Sequence, residues 1–584
     1  MTGPDATAAA DPITTEIIRG ALISITDEMK VNLMRTAYNP IIFDALDFTV
    51  GLFDTNGDTV SIGLGLPMFI RGLSAAVKAK IARYRDDQLE PGDILITNDA
   101  YITGSHLNHI VVTLPIFHGK TIVGYASTMA HWQDIGGVLG AVTTDIYSEG
   151  IQIPIVKLFK AGVQDEEIVS IIGMNVRFSE LALGDLRAQV AAVRTGDRRL
   201  TALIDRYGLE TYRTAVETLY NHGDQLARRA VTAIQDGTYE ASAYMDDDGV
   251  GSDSVEIRVK VIVDGDSMTV DLTGINPQVA GYFNSGAATG LAAAQVAFRC
   301  LTTPDFFPLN DGTYRSLKVV LPEGTVVSAV RPAAMQLWMT VPMTVIDTII
   351  AALAPAIPSR AVAAHYADLC YRTVHGIDER NGTFYVGLIG VPGGGWGARV
   401  DSDGANATIC INDGDTHNHP IESIERKWPI LIERYALRTD SGGAGRNRGG
   451  LGVEQRVRML SHGKLSCSIE RTKCAPWGVD GGQPGLPNGV WIERADQKIV
   501  GRNGKLYGVD LAAGDISVVV TGGGGGYGDP RERPLAVVID DVRNGYVSPD
   551  QAESVYGVVV DALGHPDVEA TRQRRALNSV SDAP

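Results

Sequence analysis

A chain of 584 residues exceeds the size at which one hydrophobic core stops growing, and 44% hydrophobic with 21% charged residues is the balance of a globular protein, not a disordered or fibrous one. Its 69 acidic against 51 basic side chains give a formal charge of −18 with no long basic run, which argues against a nucleic-acid partner. Five scattered cysteines offer no disulfide framework or zinc ribbon, no run of about 18 uncharged apolar residues reads as a membrane span, and the small, polar N-terminus has no leader pattern, so the cytoplasm is the expected address.

Asp11-Pro12 is an N-cap and first-turn pair, and Ile17, Ile18, Leu22, Ile23, Ile25, Met29 and Leu33 follow near helical spacing, which predicts a long first helix. Residues 47–64 are β-rich around Asn56-Gly57, the dipeptide of a type I′ hairpin. A helix is predicted over 68–85 and strands over 92–99, 109–117 and 120–130, the last two joined at His118-Gly119. From about 178 to 236 apolar residues recur three and four apart between charges, the pattern of amphipathic helices.

Beyond Gly237 the composition changes, with a hairpin turning at Asp264-Gly265 and then glycine-rich loops and short strands to about residue 530. The expected class is α+β, multi-domain, with mixed sheets, long helices in the N-terminal half and a glycine-rich, β-dominated C-terminal half. The expected units are 1–237, with the helical segment 178–236, then 238–425 and 426–584. No repeat of fixed period is visible.

The stretch GSHLNHI, residues 104–110, sets His106 and His109 three positions apart in a loop that feeds a strand. In a strand such a pair points to opposite faces, so both bind one ion only if a turn intervenes. His131 in AHWQDIGG closes the strand that follows, and Asp47 begins an earlier one, so loops at one end of a sheet could bring these side chains together. Each also has a plain role as a hydrogen-bonded loop residue. A rival pair, His417 and His419 in DGDTHNHPIE, shares one side of an extended segment and can equally be solvated loop. The glycine-rich runs at 440–452 and 520–530 lack the Lys-Ser/Thr of a phosphate loop and read as structural turns and interface.

Taken together, DFTVGLFD (47–54), GDILITNDAYITGSHLNH (92–109), AHWQDIGG (130–137), GYFNSG (281–286), LNDGTYR (309–315), RTDSGGAGRNRGGLG (438–452), APWGVDGGQPG (475–485) and GGGGGYGDP (522–530) resemble the hydantoinase B/oxoprolinase family, in order along nearly the whole chain. That family has relatives among the subunits of acetone and acetophenone carboxylases. The resemblance implies a two-subunit, ATP-dependent system. A hydantoinase A-type partner with an actin-like ATPase fold would hold ATP-Mg and phosphorylate a small-molecule substrate, and this chain would hold a divalent Zn, Mn or Fe ion and finish the reaction.

Carried over residue by residue, the metal ligands implied are Asp47, with Asp44 as a near neighbour, and His106, His109 and His131. The family often has Asp where His109 stands. Asp134 is implied to orient His131 or to serve as a base. The activity implied is opening of a cyclic amide: a hydantoin, a lactam or a 5-oxoproline-like ring. The alternatives are a bicarbonate-using ketone carboxylase with the same site and partner, and a non-catalytic scaffold.

Overall fold

The computed structural model describes residues 11–302, 309–414, 416–495, 497–561 and 565–579; the first ten residues, read above for a leader, and Asp415 lie outside them. The predicted first helix, α1 (Pro12–Thr36), is capped by the Asp11 carboxylate, which accepts from the Thr14 N–H, and buries the Ile18, Leu22, Ile25, Met29 and Leu33 stripe. A single turn, α2 (Pro40–Phe43), leads to the hairpin β1 (Phe48–Phe53) and β2 (Thr59–Leu64), whose turn holds Gly57 at φ +81°. There follow α3 (Phe69–Arg83), β3 (Ile94–Thr97), α4 (Ala100–Thr103), β4 (His109–His118), β5 (Thr121–His131), β6 (Val156–Lys160) and β7 (Val163–Gln164).

These strands form one antiparallel sheet in the order β2-β1-β5-β4-β3-β6-β7. Both faces of its centre are covered, so β1 and β3 are buried at every position instead of alternating. Next come α5 (Glu166–Asn175), α6 (Ser179–Tyr207) and α7 (Leu209–Thr232). The segment predicted helical over 178–236 is thus largely two helices, turned at Gly208, whose φ of +86° an L side chain rarely adopts. Gly196 of α6 lies against Ala126 and Gly72 of α3 against Met129; these β5 residues have opposite parity, so the two helices cover opposite faces.

A four-stranded sheet follows, made of β8 (Gly237–Met245), β9 (Val255–Asp264), β10 (Ser267–Asp271) and β11 (Leu317–Val320), in the order β11-β10-β9-β8. Two helices the sequence reading did not separate from the glycine-rich stretch, α8 (Ala287–Thr302) and α9 (Thr340–Leu353), belong here. α9 packs on β8 and β9 and is buried almost throughout, so it carries no polar face to mark it as a helix.

The remaining strands are β12 (Arg372–Asp378), β13 (Thr383–Ile389), β14 (Ile430–Leu437), β15 (Val453–Met459), β16 (Gly463–Ser468), β17 (Gly489–Arg494), β18 (Gln497–Val500), β19 (Lys505–Leu511) and β20 (Ile516–Val520). They form two sheets, β13-β12-β16-β19 and β14-β15-β20-β17-β18. The first draws strands from both sides of residue 425. The fold is α+β, and its main hydrophobic core runs from Ile18 to Val519.

The glycine runs pack backbone on backbone. Gly524 donates to the Gly450 carbonyl (2.9 Å), Gly443 to Gly524 (2.8 Å), Gly395 to Gly522 (2.9 Å) and Gly525 to Ala364 (2.8 Å). A Cβ on Gly524 would stand 1.9 Å from the Trp396 carbonyl oxygen, a separation no side chain can occupy. These N–H groups are spent on neighbouring carbonyls and do not face an anion. Among the described residues no helix is long and apolar enough to cross a membrane.

Two glycine substitutions test this packing in opposite directions by chemical denaturation. Gly524→Ala is expected to destabilise the chain by about 3 kcal/mol or more, because backbone must move. Gly20→Ala, exposed on α1 with open space around it, is expected to stabilise by up to about 1 kcal/mol.

Candidate metal centre

The antiparallel register decides which side chains meet at one end of the first sheet. β4 and β5 pair with His109 directly opposite His131, and β1 pairs with β5 so that Phe48 faces Ala130 and the His131 N–H reaches the Asp47 carbonyl (3.1 Å). Asp47, His131 and His109 therefore stand in a row across three neighbouring strands. His106 comes from the loop after α4, and its ring centre lies 4.3 Å from that of His109 and 4.9 Å from that of His131. The turn the sequence required between His106 and His109 is there, and it brings both imidazoles to one place.

Each of these residues is fixed by its surroundings. Asp47 follows Leu46, a non-glycine residue at φ +62°, and Gly65 leaves room for the bend: a Cβ there would be 2.3 Å from the Leu46 and Phe48 carbonyl oxygens. Asn39, the cap of α2, donates to the His131 carbonyl (2.9 Å). His109 is fully buried, edge-on to Phe69 (4.6 Å) and near Trp338 (5.7 Å), with Nδ1 at 2.9 Å from Ser105 Oγ. His106 Nδ1 is 3.2 Å from the Gln336 carbonyl oxygen. An imidazole that donates from Nδ1 presents a lone pair at Nε2, so these contacts select the ligand tautomer.

The inner atoms of the group have nothing to bond to. Asp47 Oδ1, His106 Nε2, His109 Nε2 and His131 Nδ1 are all buried and without a hydrogen-bond partner. Asp47 Oδ1 is 3.5 Å from His109 Nε2, and one ligand atom from each of the three imidazoles lies within 4.8 Å of the others. A tetrahedral ion with bonds of about 2.1 Å sets its ligand atoms roughly 3.4 Å apart, so small side-chain rotations would close the set on a cation. Burial, with the neighbouring His109 and His131, holds His106 well below the ordinary imidazole value, and burial takes His131 down to about 4 against the pull of Asp47. At neutral pH both are in the uncharged form that ligates.

The group opens into a cleft of about 190 Å3, whose other wall is the β12–β13 face and the loop 410–419. Asp413, buried on that loop, accepts from the Cys410 thiol (2.9 Å), and burial, with the nearby Asp47 charge, pushes its carboxyl up to about 7. The sequence reading passed over Asp413 for its histidine neighbours, although one more acid in DGDTHNHP was the available signal. Glu149 was also missed: its Oε1 accepts from the Met335 and Gln336 N–H groups (both 2.9 Å) and from Thr143 (2.7 Å), which fixes the peptide that holds His106. Burial pushes Glu149 up to about 7.

The other anticipated residues fall elsewhere. Asp134 lines the cleft, but its oxygens take the Arg177 N–H and Nη1 (both 2.5 Å); it is paired with arginine and makes no hydrogen bond to His131. Asp44 faces His419 and Lys427 and not the imidazole group. His417 is exposed whereas His419 is buried in the cleft wall, so the alternate spacing does not yield a ligand pair.

Comparison with known proteins returns the profile of the Hydantoinase B/oxoprolinase family over residues 11–530. The beta subunit of a caprolactamase from Pseudomonas jessenii is 33% identical over 587 residues, 97% of this chain and 99% of that one. A Pseudomonas sp. (strain NS671) protein, provisionally named as one subunit of a D-/L-hydantoinase, is 32% identical over 97% of this chain and 98% of its own length. The crystal structure of the ATP-dependent caprolactamase from Pseudomonas jessenii superposes with a TM-score of 0.90 over 97% of this chain and 99% of that chain. A nucleotide-free acetone carboxylase structure does so at 0.89 over 98% of this chain and 84% of that chain, with 18% identity, a likeness of fold alone.

In chelator-treated protein, acidification from pH 7 towards 4 is expected to lower stability steeply. The unfolded chain takes up protons near pH 6.5 that folded His106 and His131 refuse, and the loss continues as pH falls towards the folded values. His131→Gln should flatten that slope in pH-dependent melting curves, by at most about 1.4 kcal/mol per pH unit for the one site.

Proposed function

The chain belongs to the hydantoinase B/oxoprolinase family, and from that membership we propose that it is the metal-bearing subunit of an ATP-dependent enzyme that opens a cyclic amide. A hydantoinase A-type partner ATPase would hold ATP-Mg and phosphorylate the amide oxygen, and the two chains would work as a hetero-oligomer. The observation that carries this reading is the set of four buried, partnerless ligand atoms, three of whose residues, Asp47, His106 and His131, line one cleft. The glycine N–H groups are satisfied internally, which agrees with a nucleotide site on another polypeptide.

Three imidazoles and one carboxylate make a donor set suited to Zn, Mn or Fe. A divalent cation held there supplies Lewis acidity, which brings the ionisation of water near neutrality and withdraws charge from the reacting carbon. The chain's own residues do the rest. Asp47, His106, His109 and His131 would bind and orient; the Gln336 carbonyl, on a segment held by Glu149, and the Ser105 hydroxyl keep His106 and His109 in one tautomer. After water adds to the carbon of the O-phosphorylated ring, Asp413, which lines the cleft with its carboxyl raised to about 7, is the residue we assign to hand a proton to the ring nitrogen as the C–N bond breaks; the acyl phosphate left behind is hydrolysed by a second water to carboxylate and phosphate. Asp134 and Arg177 fix the 134–137 turn along the cleft.

A ketone carboxylase is the second reading, since an acetone carboxylase shares the fold. The closer kinship to the beta chain of a caprolactamase over nearly its whole length favours ring opening. Co-purified with its ATPase partner, the chain is expected to couple ATP hydrolysis to loss of a lactam or hydantoin without bicarbonate. His131→Ala and Asp47→Ala should each cut bound metal and turnover by at least about 100-fold. ATP turnover that requires bicarbonate and a ketone would replace this reading by the second, and equal metal content in wild type and His131→Ala would remove the metal from it.

A further inference from the structure

The proposed function leaves the substrate's remaining structure open, and the cleft restricts it. Besides the ligand group, the cleft is walled by alternate residues of two paired strands: Tyr371 and Thr373 run in from and along β12, Val386 and Leu388 along β13, with Thr373 in register with Leu388. Trp428 and Ile41 continue that apolar wall. The acids and histidines lining it are Asp47, Asp134, Asp413, His106, His131 and His419; among the described residues no lysine or arginine lines it.

Cations next to lining residues in the chain or bonded to them are committed elsewhere: Arg372, between Tyr371 and Thr373, donates to Ser517 and Gln455. Arg177 is paired with Asp134 and donates to the Gly137 carbonyl, and Lys427, stacked over Trp428 at 5.4 Å, has the Asp44 carboxylate as its electrostatic neighbour. A substrate carboxylate seated against this β12–β13 wall, across the cleft from the candidate metal centre, would lose its water shell without gaining a lysine or arginine partner. An uncharged ring with a hydrocarbon body loses nothing of the kind and buries apolar surface on the β12–β13 face.

Resting on the ring-opening reading, we propose that this chain takes uncharged cyclic amides with an apolar body, lactams or alkyl-substituted hydantoins, and discriminates against rings bearing a carboxylate such as 5-oxoproline. The discrimination is made by the lack of a basic side chain on the β12–β13 wall, so supplying one should weaken it. Leu388 is half-buried on the wall, and a longer basic side chain there can lay its stem along the same surface.

The test compares kcat/KM in the two-subunit complex with ATP for caprolactam, 5-oxoproline and the uncharged amide of 5-oxoproline. The neutral rings are expected to exceed 5-oxoproline by at least about 100-fold, and Leu388→Arg to narrow that ratio by about 10-fold or more. Turnover of 5-oxoproline equal to its neutral amide would overturn the proposal. If no cyclic amide supports ATP turnover, the ring-opening reading falls. Calorimetric binding to the metal-loaded complex then still decides the cleft's preference: tighter binding of caprolactam and the neutral amide than of 5-oxoproline sustains it, and equal binding refutes it.

Discussion

Three imidazole nitrogens and a carboxylate oxygen are buried together in this protein without a hydrogen bond among them, and much of the surrounding structure can be understood as the means of keeping them so. A buried polar atom left unpaired costs on the order of 1–3 kcal/mol, so four in one place are tolerated only where the fold is held firmly by other contacts and where a ligand can relieve them. The covered centre of the seven-stranded sheet supplies the first condition. Its strands are clamped between α3 and α6, and the antiparallel register, once set by that hydrophobic pressure, lines up Asp47, His131 and His109 with no freedom to slip by one residue.

The second half of the chain completes the site from outside. Gln336 and Trp338 precede α9 and close over His106 and His109; β12, β13 and the 410–419 loop make the facing wall of the cleft. Those strands are paired with β16 and β19, and the sheets are seated on glycine segments whose backbones approach too closely for any Cβ. The glycine segments thus pack backbone on backbone in the half of the chain that also supplies the facing wall of the cleft.

Much of the fold was legible because local physics wrote it. The capped first helix, the hairpin around Asn56-Gly57 and the strands around His118-Gly119 are present, since each is fixed by side-chain spacing and turn chemistry within a short stretch; the first hairpin's turn, however, has a positive φ at Gly57 and not at Asn56, so it is not the type I′ turn expected. α9 was hidden because burial on all sides removes the polar face that gives a helix its period. The role of the glycine runs was half visible: their lack of a phosphate-loop signature was plain, but the backbone packing that demands glycine joins segments far apart in the chain, such as Gly524 with Gly450 and Gly525 with Ala364.

The sequence by itself determined the family and the α+β class, and through the family resemblance it named Asp47, His106, His109 and His131, the side chains that the fold brings together, because motif order is carried by residue type. Only the tertiary structure decided that Asp47 and not Asp44 faces the imidazoles, that Asp134 belongs to Arg177, that His417 and His419 part company, and that Asp413 and Glu149 join the site. Those distinctions rest on strand register, on burial and on which carboxylate meets an arginine, quantities set by contacts between distant segments that no local stretch of sequence contains.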